Sequence, residues 1–374
     1  MSHTRSLRIG IALDLSATAP GLWDGDALQA GVFLAMVLLR CTGVACCVAL
    51  DAAPGRETDL LEASARSPLP VVSRHEAMQS LDLIIEMGCR LPEDWTHDFS
   101  AKGGVLVAQR ITGDLIADSE AMAFACPTAL LPAPNFYREI WVWPAYAAAN
   151  GSYLHYTTLA HVHVVPPLWS PAILEQSASE QGVLWRYAPG RRSWRLAILE
   201  PNRSTAASCH LPLMLCDAAY RRQPEAVESI CVGDSAAMME GQHFCYFVDS
   251  LDVVRQRKVQ FFDAIPGFAM LGSRAEALIS HHWGMGQSYR HYEALHGGFP
   301  LIHNAPLLGD CGYRYKDFDP EDGAETLLSA LRHHDDDLAA YRDKAARLLA
   351  ELDPGADRQV KAYEARLAAL FPPD

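Results

Sequence analysis

The stretch that most restricts how this chain can fold is ALISHHWGMGQSYRHYEALHGGFPLIHN, residues 277–304. Two short apolar runs, 277–279 and 300–302, bracket a loop dense in His, Trp and Gly and a helix predicted over 288–296. Gly297-Gly298 stops that helix. A strand–loop–helix–strand unit of this length belongs to a parallel sheet, because parallel neighbours need a crossover connection, usually a helix. It gathers polar residues at the carboxyl end of the first strand and the amino end of the helix, where open α/β sheets bind ligands.

The same pattern recurs along the chain. Leu7–Leu13 is apolar apart from Arg8 and suits a parallel strand buried on both faces. A helix is predicted over 27–40, with Leu28, Val32, Met36 and Leu39 three or four apart, Asp24 or Asp26 placed to cap it, and Gly31 kept for close packing. Strands follow at 44–50, 81–87, 104–108 and 140–142, the last running into a WPAY turn. His161 and His163 leave one face of a further strand. With no third ligand at suitable spacing, half-buried histidines bonded to neighbours explain them better than a metal site.

Residues 169–192 are Pro-bearing, polar and without sustained periodicity, and read as an interdomain linker. Strands then return at 194–199, 229–232 and 258–262, with a helix over 210–220 that holds Pro212 in its first turn. Helices at 325–332, 336–349 and Asp357–Leu370 follow. A chain of 374 residues exceeds one ordinary core, so the pattern divides into an α/β domain at 1–168, a second at 193–352 and a terminal segment at 353–374. Two such domains joined near the middle create a cleft, with the loops 200–205, 281–288 and 303–315 of the second domain directed into it.

Composition narrows the partners. A formal net charge of −14 argues against a nucleic-acid binder, which needs a basic footprint. The ten cysteines show no paired CxxC spacing and mostly sit in apolar surroundings, so reduced core thiols and a cytoplasmic location are expected. The amino-terminal residues run straight into a strand and do not resemble a signal peptide, and the longest apolar run near the front is too short to span a membrane. GxGxxG and GxSxG motifs are absent, which leaves dinucleotide and Ser-hydrolase readings without support.

Candidate chemistry lies in those loops. EPNRST puts Asn202 and Arg203 directly after a strand, either as a phosphate contact at a helix start or as an ordinary capped turn. Gly284 and Gly286 allow close approach to a ligand; Gln287 and Ser288 offer polar groups at the helix start, where Ser288 also suits an N-cap. Glu293 is flanked by apolar residues. A buried carboxylate requires donors, and the vicinal hydroxyls of a ribose supply two. His281 and His282 either orient the loop or touch the ligand.

The run 277–304 resembles the donor-site signature of GT-B glycosyltransferases, through Ser280 to Gly286, Glu293 and Gly298-Phe299-Pro300. The chain is similar over most of its length to a group of bacterial GT-B-like proteins, in RIGIALDL, GLWDGDALQAG, VVPPLWSP, LDVVRQRKV, the SHHW segment and FPLIHNAPLLGDCGYRY. The resemblance implies two Rossmann-like domains facing across a cleft, acceptor side first and donor side second, with the last helix returning to the first domain. It implies a nucleotide-sugar as co-substrate, no resident cofactor or metal, and a nucleoside diphosphate as product. Glu293 would bind the ribose; Gly284, Gly286, Gln287 and Ser288 would face the sugar and diphosphate; Asn202 and Arg203 would lie by the phosphates, and Asn304 near the donor. Trp283-Gly284-Met285-Gly286 stands where many such enzymes carry an acidic residue.

Inversion of the sugar would require a base from the first domain, for which Asp114 and Asp24 are the leading candidates, with capping as their alternative role. An inactive GT-B-like binding protein and a nucleotide-sugar epimerase are the competing readings. The acceptor (a glycan, a lipid-linked sugar or a protein) and the oligomeric state are left open, and a lipid-linked acceptor would bring the protein to the inner face of a membrane.

Overall fold

A computed structural model describes residues 6–16, 26–53, 57–124, 136–263, 267–284 and 286–372. The chain divides into two compact units, 1–170 with 351–374, and 171–350.

The first unit is built on seven strands: β1 (Leu7–Leu13), β2 (Val44–Asp51), β3 (Val71–Val72), β4 (Leu83–Met87), β5 (Val105–Arg110), β6 (Glu139–Val142) and β7 (His161–Val164). They pair all-parallel in the order β3-β2-β1-β4-β5-β6-β7. β1 is buried throughout except at Arg8, as its unbroken apolar run requires of a strand covered on both faces. The helix Asp26–Leu38 lies against it, and a Cβ on Gly31 would come within 3.0 Å of Leu13, so this glycine serves close packing.

The terminal helix Asp357–Leu370 belongs to this unit. Tyr363 is fully buried, its hydroxyl donates to Pro166 O at 3.0 Å, and its ring meets Trp141 edge-on. Arg366 grips Glu139 through two nitrogens at 2.6 and 3.2 Å, and donates a third hydrogen bond to Nδ1 of His163. Glu364 accepts the Thr42 amide at 2.7 Å.

The second unit carries β8 (Trp194–Ile198), β9 (Val227–Val232), β10 (Val259–Phe261), β11 (Ala277–Ile279), β12 (Leu301–His303) and β13 (Tyr313–Arg314), again all-parallel, in the order β10-β9-β8-β11-β12-β13. Leu196, Ile198, Leu213, Val232, Ile279 and Ile302 form its core with Leu327 and Leu328.

Three regions differ from expectation. The helices predicted at 325–332 and 336–349 are one helix, Pro320–Leu352. His333-His334-Asp335 contains no breaker, and His334 faces inward, its Nδ1 meeting the Tyr313 hydroxyl at 2.8 Å and its Nε2 the Gly298 carbonyl at 3.1 Å. The WPAY segment is the start of the helix Pro144–Thr158, because proline in the first helical position lacks only an N–H that would have had no partner. Residues 171–192, expected as linker, lie in the second unit and include the helix Ala172–Glu180. All nine described cysteines are free thiols, seven of them buried.

Candidate functional site

In the second unit the chain runs outward through β8, β9 and β10, then returns to the other side of β8 and continues through β11, β12 and β13. The loops leaving β8 and β11 part company at this reversal, which is where open parallel sheets bind ligands. Glu200, two residues beyond β8, is 3% exposed. Its Oε1 accepts the Ser280 hydroxyl at 2.6 Å and the His281 amide at 3.1 Å, and its Oε2 lies 3.0 Å from Nε2 of His282. A carboxylate taken out of water needs such donors.

The network fixes two imidazole tautomers. Ser280 gives its proton to Glu200, so the 2.8 Å contact between Ser280 and Nε2 of His291 is donated by the ring. The Tyr315 hydroxyl donates to the Ser280 carbonyl at 3.1 Å, so it accepts from Nδ1–H of His281 at 2.9 Å. Burial pushes the His281 imidazole down to about 4 and holds His291 well below the usual range, so both rings are neutral at pH 7. Nε2 of His281 and Nδ1 of His291 are buried lone pairs without a hydrogen-bond partner.

Three successive amides of the β11 loop are tied down. His281 N–H goes to Glu200, His282 N–H to Asn304 Oδ1 at 2.9 Å, and Trp283 N–H to Ala206 O at 2.8 Å. Asn304 returns a hydrogen bond to the His282 carbonyl at 2.8 Å. Gly284 adopts φ +66°, a left-handed conformation that glycine takes without strain. A Cβ on Gly286 would lie 3.0 Å from Pro306. Ser288 caps the helix Tyr289–Gly297 by accepting the Arg290 amide at 3.2 Å, and Gln287 beside it is buried.

Glu293 is 1% exposed, and its Oε2 accepts from Arg290 at 3.1 Å. Its carbonyl accepts the Trp185 indole N–H at 3.0 Å, so the segment expected as linker helps to seat this helix. On the β8 side, Asn202 stands at φ +53° and its side chain is spent on backbone. It donates to Glu200 O and Gly233 O and accepts the Cys209 amide at 2.7 Å. Arg203 is exposed.

In the first unit Asp114 opens the helix Asp114–Phe124 and is 3% exposed. Oδ1 pairs with Arg110, and Oδ2 accepts from Asn150 at 2.8 Å. Burial raises its pKa against the opposing pull of Arg110. Nearby, Glu86 accepts from Tyr137 and from the Leu91 amide, and Asp118 accepts from Tyr153 at 2.8 Å. Asp24 lies outside the described residues. Among the described residues, no group of three or more His, Cys, Asp or Glu side chains is arranged to hold a metal ion.

The family described as "Protein of unknown function (DUF2827)" matches residues 9–367. This chain belongs to the DUF2827 family. No curated protein matches it. Among solved structures, the DUF2827 chain is similar to a glycosyltransferase from Rickettsia africae ESF-5, at 10% identity and a TM-score of 0.61, covering 99% of this chain and 100% of that one. It is also similar to Anabaena HepE in complex with UDP-glucose, at 12% identity and a TM-score of 0.58, over 98% of this chain and 100% of that one. A third likeness is sucrose-phosphate synthase from Thermosynechococcus elongatus, at 10% identity and a TM-score of 0.58, over 98% and 99% of the two chains. At such identities the likeness speaks for the fold, which is GT-B.

Asn202, His282, Gly284, Gly286, Gln287, Ser288 and Asn304 of this DUF2827 protein lie in the segments that follow β8, β11 and β12, and Glu293 lies within the helix after β11. Asn202, Asn304 and Ser288 act there on backbone amides and carbonyls. Glu200 was legible only as one polar residue of EPNRST; its place at the centre of the network depends on Ser280, eighty residues away. Ser280, His291 and Tyr315 carry no local signal beyond being polar in apolar surroundings. No helix among the described residues is long and apolar enough to cross a membrane.

Proposed function

We propose that this protein is a glycosyltransferase that moves a sugar from a nucleotide-sugar donor to a hydroxyl-bearing acceptor without a metal, and that its second unit holds the donor. The observation that carries this reading is the immobilised loop after β11 at the sheet reversal, followed by a capped helix with Glu293 buried in it. Glu293 would take the ribose hydroxyls, with Arg290 adjusting its contact to admit them. The amino end of the helix at Gln287 and Ser288 would face the diphosphate, since helix N-termini favour anions. Gly284 leaves room for the ligand beside the chain, Gly286 packs against Pro306, and His282 and Asn304 keep the loop in position. Arg203, exposed beside Asn202, would stabilise charge on the leaving diphosphate.

In the transfer, the bond between the anomeric carbon and the diphosphate oxygen breaks with its electron pair going to the diphosphate. A bond forms from the anomeric carbon to the acceptor oxygen, whose proton passes to a base or to the departing phosphate. Asp114 fills the base role only when its pair with Arg110 opens.

Titration calorimetry with UDP, GDP and TDP tests the reading. One nucleotide is expected to bind the full-length protein, and Glu293→Ala to weaken it by about tenfold or more, with an unchanged circular dichroism spectrum. Absence of binding by all three at millimolar concentration overturns it. A second reading, a nucleotide-sugar-binding protein without turnover, is favoured by one observation: both oxygens of Asp114 are already engaged. Release of free sugar from the bound donor, or its transfer to an acceptor extract, refutes that alternative.

A further inference from the structure

Trp283 is 53% exposed and Phe318 is 52% exposed, and the two rings stand nearly perpendicular with centroids 5.8 Å apart. Exposed aromatic side chains are common, but this indole is unusually well placed and held. Its own amide and the two before it are hydrogen-bonded to three different segments, through Glu200, Asn304 and Ala206. An indole on a backbone held this firmly, and set edge-on to Phe318, loses less conformational entropy when something packs on it than one on a free loop.

A second observation points the same way. The His281 ring lies against Phe318, centroids 4.7 Å apart, and hands its Nδ1 proton to Tyr315. Nε2, on the other edge of the ring, is then a hydrogen-bond acceptor, in a side chain 5% exposed, that no protein group uses. The corner therefore combines two apolar ring surfaces with a neutral acceptor beside them. That combination suits a ring with a C–H face and hydroxyl donors at its rim.

We propose that Trp283 and Phe318 form the wall on which the donor's sugar ring stacks. This rests on the nucleotide-sugar reading above. The order of groups along the chain selects the sugar over the nucleobase. Glu293 lies beyond the helix start and Trp283 before it. An extended donor with its ribose at Glu293 and its diphosphate at the helix start carries its sugar towards Trp283 and its base away from it.

The test compares nucleoside diphosphates with their sugar conjugates: UDP with UDP-glucose, GDP with GDP-mannose, and TDP with TDP-glucose. Affinities are measured by calorimetry on the wild type and on Trp283→Ala, Trp283→Phe and Phe318→Ala. For whichever pair binds, Trp283→Ala is expected to lower affinity for the sugar conjugate about tenfold and to leave the diphosphate unchanged, with Trp283→Phe recovering much of the loss. Phe318→Ala is expected to produce a smaller loss of the same selectivity. Equal weakening of both members of a pair assigns the indole to the base or to loop structure and overturns the proposal. No change for either member also overturns it while leaving the nucleotide-sugar reading standing. Failure of every nucleotide to bind the wild type overturns both.

Discussion

The two units are wound from the same parallel α/β pattern, yet the second adds a set of buried imidazoles to its buried ion pairs. In the first, Glu86, Asp114 and Asp118 lie near Arg110, and burial raises the pKa of all three carboxyls. In the second, four buried imidazoles stand beside the buried carboxyls Glu200, Asp217, Glu276 and Glu293. Burial pushes His281, His303 and His334 down to about 4 and His291 well below its usual range. His303 and His334 have both ring nitrogens hydrogen-bonded, whereas His281 and His291 each keep one buried acceptor nitrogen without a partner. His303, for example, accepts the Ala305 amide on Nδ1 and donates to Cys311 O from Nε2. The difference teaches that similar sheets can be held together by ion pairing or by neutral tautomers, and the two respond to protons with opposite sign.

The largest expected effect tests the ionic side. Arg110→Leu leaves Asp114 buried without its cation, which typically costs about 3–5 kcal/mol. Peptide-resolved hydrogen exchange should show protection lost across β4–β6 at pH 7. The loss should shrink towards pH 4, because carboxyls with raised pKa values take up protons and shed the uncompensated charge. Loss of protection at pH 7 confined to the second unit would break the comparison.

Acid tests the imidazole side. An unfolded histidine titrates near its ordinary value of 6.5 and folded His303 at about 4, so the unfolded chain binds more protons between these values. Stability from such rings is complete above about pH 6.5 and falls as pH drops towards 4, by ~3 kcal/mol for His303 alone. The raised carboxyls run the other way: their contribution is greatest below the unfolded carboxyl range and is lost as pH rises. Exchange protection in β11 and β12 should therefore fall before that in β1 and β4 as the protein is acidified. Simultaneous loss in both sheets, or earlier loss in the first, would contradict this assignment.

The smallest effect sharpens the contrast within the second unit. Trp185→Phe keeps an aromatic ring near Phe299 but removes the indole bond to the Glu293 carbonyl. It should cost about 1 kcal/mol, read as faster exchange confined to the helix Tyr289–Gly297. An unchanged helix would show that Trp185 acts there through packing alone.

Much of the architecture was readable from local pattern. Leu7–Leu13 and Asp357–Leu370 occur with the bounds their periodicity predicts, because an apolar run and an amphipathic face are properties of neighbours in sequence. The helix Pro320–Leu352 reads as two in the sequence because His333-His334-Asp335 looks polar, and the burial of His334 depends on Tyr313 and Gly298 from other elements. The candidate loop was legible for the same reason as the strands: glycines, a cap and a stop lie within one short segment. The role of Glu200 was not, since a carboxylate after a strand reads identically whether it faces water or Ser280.

The sequence by itself determined the succession of strands and helices and placed the polar loop after β11, through periodicity and turn chemistry acting over a few residues. Only the tertiary structure decided which histidine carries its proton on which nitrogen, that Asp114 is locked to Arg110, and that Trp185 seats the helix bearing Glu293. Those outcomes depend on which donors and acceptors meet once the chain has folded, whether they are neighbours such as Arg110 and Asp114 or distant in sequence such as Trp185 and Glu293. Burial then makes each of those meetings count, because a polar group removed from water must find its partner inside the protein.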